Sequence, residues 1–280
     1  MTKIRKIPVK IIVQTALRKN PKTYLRHSFL CTMIGHPFTV LDSIDSTNNY
    51  AAERIDRGKA GHGAAFMALE QTAGKGQRGK SWSSHAGENI ILSVVLDTTE
   101  MPVNTPFLLN AAVALAAFDL FKKYAPDETS IKWSNDIYWR NRKAAGILIE
   151  NKFIGTRWNW AVAGIGININ QTKFDADLAK KAVSLKQITG KDFDCMALAK
   201  ELCRFLDERF NRYKTQQFQA LLQAYNENLF KRNQSVQLKY QNRIFHGIIR
   251  NADEQGNLWI DGAPKSFFTF GEIEWILPER

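Results

Sequence analysis

The chain has 280 residues, 44% apolar and 24% charged, with a formal net charge of +12 and a sequence pI near 9.6. This supports an ordinary globular core. It excludes a membrane-spanning helix, because the longest apolar run, 107–121, is interrupted by Asn110 and Asp119 and falls short of the ~20 residues a span needs.

The basic excess sits at the start of the chain. Residues 1–32 carry eight Lys or Arg (Lys3, Arg5, Lys6, Lys10, Arg18, Lys19, Lys22, Arg26) and no Asp or Glu, leaving 31 basic against 27 acidic residues, a net of +4, in the rest. A solvated tail, a nucleic-acid arm and an organelle presequence all fit that composition. Met33 also fits as an alternative start of translation. A secretory signal does not, for want of a clean apolar stretch followed by a small-residue cleavage site.

Next come a short strand at 41–44 and a helix capped by Asp45 or Ser46, running to about Arg57 and ended by Gly58. Apolar runs at 64–70 and 90–96 read as buried strands flanking a Gly-, Ser- and Lys-rich loop. Pro106 opens a long helix whose Ala- and Leu-rich character implies burial on most sides. Strands are expected at 131–133, 137–139, 146–150 and 158–169, and helices at 176–188, 194–213 and 216–228. From about Gln234 the texture changes to short β-runs at 236–240, 243–250, 258–260 and 266–270, joined by polar turns such as Gln255-Gly256-Asn257, the pattern of a small β-barrel. The fold class is therefore α+β. Its divisions are a basic extension at 1–36, a main domain at 37–232 and a C-terminal β module at 233–280. The three cysteines, Cys31, Cys195 and Cys203, are odd in number and form no CxxC, which points to reduced thiols in a cytoplasmic setting.

The loop Gly74-Lys75-Gly76-Gln77-Arg78-Gly79-Lys80-Ser81 matches two phosphate-binding strings, GxxxxGK[ST] and GxGxxG. Both need a helix to begin at the loop. None fits, because Ser81 to Asn89 is short, polar and interrupted by Gly87 before the next strand. A glycine loop between strands can still hold an anion through its backbone N–H groups. Lys75, Arg78 and Lys80 add charge, and Trp82 offers a flat face for a base. By itself the loop is equally well a surface turn.

The remaining segments are each weak alone. Ser46-Thr47-Asn48 could cap a helix, or could read a urea-like ring with groups that both donate and accept. Lys132-Trp133-Ser134-Asn135-Asp136 is an ordinary turn with an amide and a carboxylate beside a strand. Arg142-Lys143-Ala144-Ala145-Gly146 leads into an apolar strand, where a lysine is usually at the surface. Gly164-Ile165-Gly166-Ile167-Asn168 is a β-run whose glycines permit close approach of a ligand.

Together and in this order, these segments resemble the biotin–protein ligase family. The matching residues are Asp45-Ser46-Thr47-Asn48; Glu70-Gln71 through Gly79 with Trp82; Lys132 to Asp136; Arg142 to Gly146; and Gly164 to Asn168. The resemblance extends from about Thr39 to the C-terminus, where Gly247, Gly256 and Gly271-Glu272-Ile273 fall as the family's SH3-like domain suggests. It implies a mixed sheet flanked by helices, of the class II synthetase-like type, followed by an SH3-like barrel. Two departures stand out. The family's usual GRGRRG has Lys75 and Gln77 in place of two arginines, and KWPND reads KWSND. Lys75 keeps a charge without the bidentate fork, whereas Gln77 loses a charge that could help retain an adenylate. The residues ahead of the motifs are too few for a winged helix-turn-helix, so the expectation is a monofunctional ligase.

The resemblance implies that biotin's carboxylate attacks the α-phosphorus of ATP, giving biotinyl-adenylate and pyrophosphate, and that a carrier lysine then takes the biotinyl group. Lys75, Arg78 and Lys143 are the catalytic candidates. Ser46, Thr47, Asn48, Gln71, Lys75, Gly76, Gln77, Lys143 and Gly146 would bind biotin. Gly74, Arg78, Trp82, Lys132, Asn135, Asp136 and Asn168 would bind ATP or the adenylate. Mg²⁺ would be bound through ATP, and no residue is assigned to a metal. The partner would be a biotin carboxyl carrier protein or domain of a biotin-dependent carboxylase, and a homodimer is left open; no membrane is involved. A lipoate ligase is the nearest alternative. A nucleic-acid-binding protein using the basic arm is the alternative of another class, disfavoured because the arm lacks interleaved aromatics.

Overall fold

A computed structural model describes residues 33–277. The basic arm, Cys31 and the readings attached to them lie outside the described residues. The described residues belong to one compact unit.

The first sheet has seven strands: β1 (Phe38–Ile44), β2 (Ala65–Gln71), β3 (Asn89–Asp97), β4 (Thr129–Lys132), β5 (Asp136–Trp139), β6 (Arg142–Ile154) and β7 (Arg157–Asn168). Their spatial order is β1-β2-β3-β7-β6-β5-β4, with β1 and β2 parallel and every other pair antiparallel. The apolar runs read as strands are present, and near the sheet's centre β3 is buried over nearly its whole length while β7 is buried over just more than half of it. Helix α1 (Thr47–Asp56) connects β1 to β2, with Ser46 at its N-cap as expected. Helix α2 (Pro106–Tyr124) has Pro106 in its first turn, where the missing N–H is not needed. Twelve of its residues are buried, so it forms the middle of the core. Helices α4 (Cys195–Lys214) and α5 (Phe218–Glu227) pack on it.

One predicted helix is largely absent. Over 176–188 only α3 (Leu185–Thr189) forms, capped by a Ser184–Gln187 capping box. The preceding residues have their backbone engaged elsewhere. Lys143 N–H donates to Lys181 O at 2.7 Å and Val183 N–H donates to Lys143 O at 2.9 Å, making a bridge between Lys143 and Ala182. Pairing with the sheet overrides local helix propensity there.

The C-terminal strands are β8 (Ser235–Tyr240), β9 (Arg243–Ala252), β10 (Leu258–Asp261), β11 (Phe267–Phe268) and β12 (Ile273–Ile276). They form a second sheet in the order β11-β10-β9-β8-β12. Strand β12 was not expected from the sequence; it is only four residues long and none of them is buried. Amide contacts join this sheet to the first part of the chain: Asn226 Nδ2 donates to Ala252 O at 2.9 Å, and Ala252 N–H returns a bond to Asn226 Oδ1 at 2.7 Å. Among the described residues, no helix is long and apolar enough to cross a membrane.

Candidate active site

No α-helix begins at the glycine loop. Residues Gln77–Gly79 make one 3-10 turn in which Arg78 takes φ 57°. The loop closes on itself like a hairpin, with Gly76 N–H donating to Lys80 O at 2.6 Å and Trp82 N–H to Gly74 O at 2.9 Å. Nothing there provides the helix N-terminus that a nucleotide P-loop uses.

The loop folds over one face of β6 and β7. Gly146 and Gly166 pair across these strands, and Leu148 pairs with Gly164. A Cβ on Gly166 would lie 2.4 Å from the Trp82 indole, and one on Gly164 would lie 2.4 Å from Asn48 Oδ1. Only glycine lets either side chain sit this close to the strand. Because alternate strand residues share a face, Asn48 and Trp82 occupy adjacent places on it, about 7 Å apart along β7. The N-terminal motif and the glycine loop thus meet on a strip floored by the glycines of the fourth and fifth motifs.

At the Asn48 end, Ser46, Thr47 and Asn48 are all buried. Ser46 caps α1 without a side-chain bond, so its hydroxyl is not committed to the helix. Thr47 donates to Gln71 Oε1 from its backbone N–H at 2.8 Å and from its hydroxyl at 3.0 Å. Ser93, fully buried on β3, lies 2.7 Å from Thr47 Oγ1 and 2.6 Å from Asn48 Oδ1. Asn48 Nδ2 donates to Glu150 Oε2 at 2.8 Å and to Leu148 O at 3.3 Å. Lys75 reaches Asn49 Oδ1 at 2.5 Å and Glu150 Oε1 at 3.5 Å. Such a network is worth building only if its members are satisfied, since each orphaned buried group costs about 1–3 kcal/mol.

Cations gather at the Trp82 end. Lys143 Nζ lies 2.8 Å from Asp136 Oδ1 and 5.8 Å from the centre of the Trp82 ring. Lys132 contacts Tyr138 Oη at 3.1 Å and sits over its ring. Burial lowers the Lys132 pKa to about 8; Asp136 raises it, and Lys143 and Lys80 lower it further. Trp82 Nε1 and Gln77 Oε1 are buried without a partner among the described residues, while Gln77 Nε2 donates to Ile147 O at 3.4 Å.

Residues 40–168 match the biotin/lipoate A/B protein ligase family. The chain is 30% identical over 250 residues to the bifunctional ligase/repressor BirA of Escherichia coli, covering 88% of this chain and 76% of that protein. It is also 30% identical over 234 residues to the biotin–[acetyl-CoA-carboxylase] ligase of Mycobacterium tuberculosis, covering 81% and 85% respectively. The chain belongs to the biotin–protein ligase family. Its fold resembles the biotin protein ligase of Aquifex aeolicus solved with biotin and ATP, with a TM-score of 0.67, 24% identity, and coverage of 86% and 95%.

For a member of this ligase family, two sequence-derived ligand candidates have other partners. Asn135 Nδ2 donates to Ile147 O, and the Asn135 carbonyl accepts from Ile147 N–H at 3.1 Å, which fixes the Lys132 to Asp136 turn on β6. Asn168 Nδ2 donates to Lys143 O and Val183 O at 3.4 and 3.3 Å, holding the backbone at Lys143. Arg78 is also engaged, donating to Gly271 O in the turn before β12 at 2.9 Å. Trp133 Nε1 donates to Gly256 O at 3.0 Å, so both loop and turn of the site touch connections between the C-terminal strands. The peptide joining Trp133 and Ser134 is cis.

Sequence reasoning missed Ser93, Asn49 and Glu150. A cavity of about 270 Å³ opens beside Gln77, between Phe107 on α2 and Phe270. A larger one, about 610 Å³, lies between α5 and the C-terminal sheet and contains none of the motif residues.

Proposed function

We propose that this ligase activates biotin with ATP and transfers it to a lysine of a biotin carboxyl carrier protein or carrier domain of a biotin-dependent carboxylase. One observation carries the reading: a single glycine-floored strip has a donor–acceptor network of hydroxyls and amides at one end and, at the other, an indole with the Lys143 ammonium 5.8 Å from its ring and Lys132 close enough to Lys143 to feel its charge. A ureido ring with a carboxylate-bearing tail matches that division.

In this reading Thr47, Asn48 and Gln71 take the ring, with Ser46 and the backbone at Gly76 beside it. Lys143 takes the carboxylate, and Asp136 keeps its ammonium in place. The carboxylate oxygen bonds to the α-phosphorus as the bond to the pyrophosphate oxygen breaks. Two anions must approach for this step, so fixed cations at Lys143 and Lys132 lower its barrier. In the second step the acceptor amine bonds to the acyl carbon, AMP leaves and the amine gives up a proton. Trp82 and the glycine loop cover the strip and keep water from the anhydride.

Mg²⁺ would be carried by the ATP phosphates, where it neutralises charge. Mg²⁺ on a nucleotide keeps most of its ligands as phosphate oxygen and water.

We read the C-terminal sheet as an SH3-like barrel at 233–280 behind a catalytic domain at 37–232. The buried, unpaired Cys195 and Cys203 support a reducing, cytoplasmic setting. The test is ATP–pyrophosphate exchange by purified protein with biotin, lipoate or no acid. Exchange that requires biotin is expected. Exchange with lipoate alone would move the chain to the other branch of its family, and none with either acid would sink the reading.

A further inference from the structure

Glu150 belongs to none of the sequence motifs, yet it joins two of them. Its Oε2 accepts from Asn48 Nδ2 at 2.8 Å, and its Oε1 lies 3.5 Å from Lys75 Nζ on the glycine loop. It stands two residues beyond Leu148 on β6, on the same face as Gly146.

We propose that Glu150 is a positioning residue for the biotin ring: by accepting only, it fixes the direction of every hydrogen bond between Asn48 and Thr47. The proposal rests on the ring-binding reading above. A carboxylate has no proton to give, so it must face the amide nitrogen of Asn48. That turns Asn48 Oδ1 toward Ser93, 2.6 Å away. Ser93 has one hydroxyl proton, and Asn48 Oδ1 can only accept it. Two hydroxyl oxygens 2.7 Å apart need one proton between them, and with the Ser93 proton given to Asn48 it is the Thr47 proton, which turns from Gln71 Oε1 to Ser93 and leaves Gln71 the backbone N–H of Thr47. The Thr47 oxygen keeps its lone pairs free for a ring N–H. With the Asn48 amide reversed, Nδ2 would donate to Ser93, the Ser93 proton would turn to Thr47, and a lone pair meant for the ligand would be occupied. Leu148 O favours the same orientation, but at 3.3 Å it is the weaker anchor.

The backbone N–H of Thr47 anchors Gln71 Oε1 independently at 2.8 Å. The network is thus pinned at both ends and leaves Gln71 Nε2 as a donor toward Gly74. Thr47 then accepts and Gln71 donates, which complements a ring that carries both N–H groups and a carbonyl.

Glu150→Gln keeps the shape and adds protons to the group. Biotin Kd, read by calorimetry without ATP, should rise about tenfold, as for loss of one charge-assisted bond. The kcat of exchange at saturating biotin should change by less than about threefold, since the loss is in binding rather than at the reacting atoms. In an Asn48→Ala background the same change should raise Kd by less than about twofold, because no amide remains to be oriented. An unchanged Kd in Glu150→Gln overturns the proposal, and so does a full tenfold effect in the Asn48→Ala background. A fall in melting temperature that accounts for the weaker binding would assign Glu150 to packing instead, which also overturns it. The Glu150→Gln measurement stands alone if Asn48→Ala does not fold. Biotin-dependent exchange by the wild type is read first. Its absence would sink the functional reading, and this proposal with it, whereas wild-type exchange with a normal Glu150→Gln Kd would sink the proposal alone.

Discussion

Lys143 Nζ stands 2.8 Å from Asp136 Oδ1, and the Lys143 backbone is clamped on both sides by Lys181 O and Val183 N–H. A lysine held at both its head and its backbone is preorganised, so it needs little rearrangement as charge develops beside it. Lys143→Ala should lower both adenylation and transfer by roughly a hundredfold or more, the scale seen when a fixed electrostatic donor is removed. Asp136→Asn should cost about tenfold in kcat/KM with kcat the more affected, because it loosens Lys143 without removing it. Single-turnover exchange and transfer assays would separate the two steps. Near-normal turnover in Lys143→Ala would remove this residue from the mechanism.

Lys132 gives a pH dependence of definite sign. Its folded pKa is about 8 against 10.5 for the free side chain, mainly because of burial. Below pH 8 the group is charged in both states and burial destabilises the fold. Between pH 8 and 10.5 the native state has lost the proton and the unfolded state still holds it, so stability rises with pH. The full span is on the order of 3 kcal/mol. Tyr138, pushed far above its usual value by burial, acts in the opposite direction above pH 10. The useful measurement is therefore the difference between the denaturation curves of the wild type and Lys132→Met. That difference should shrink as pH is raised from 8 to 10. If Lys132 also pairs with phosphate, nucleotide binding at pH 9 should take up a proton, seen as a buffer-dependent binding enthalpy.

Much of this site was legible in the sequence, because the motifs are contiguous and carry their own chemistry. Gly164 and Gly166 read as places where a ligand could approach; the groups that approach them in the structure are the side chains of Asn48 and Trp82, which depends on contacts far apart in the chain. Glu150 and Ser93 were not legible for the same reason. Ser93 lies in the run Ile90-Ile91-Leu92-Ser93-Val94-Val95, which reads as core, and its partners are 45 and 46 residues away. The 176–188 error has a similar origin: Ala-, Leu- and Lys-rich composition favours a helix, but the backbone at Lys181 and Val183 is drawn to Lys143.

The position of Trp82 over Gly166 can be tested from either partner. Gly166→Ala would place a Cβ 2.4 Å from the indole and displace it. It should shorten the lifetime of the adenylate on the enzyme by about as much as Trp82→Ala, with biotin Kd changed less. The double variant should be little worse than either single one, since both remove the same contact. Multiplying effects would mean that Trp82 acts elsewhere than over this glycine.

Gln77 tests the loop departure from the family pattern. It contributes no charge, and its Oε1 is buried without a partner beside the strip. Gln77→Arg would restore a cation with a forked donor at this place. An added charge-assisted contact to the adenylate phosphate should slow its release by about tenfold. Adenylation itself should change little, because Lys132 and Lys143 already supply charge at the reacting end. The measurement is the rate at which pre-formed biotinyl-adenylate leaves the enzyme in the absence of carrier. Slower release would make Gln77 the weak point in retention. An unchanged or faster rate would mean that Arg78, held at Gly271 O, and Lys75, held at Glu150, already provide what the loop needs.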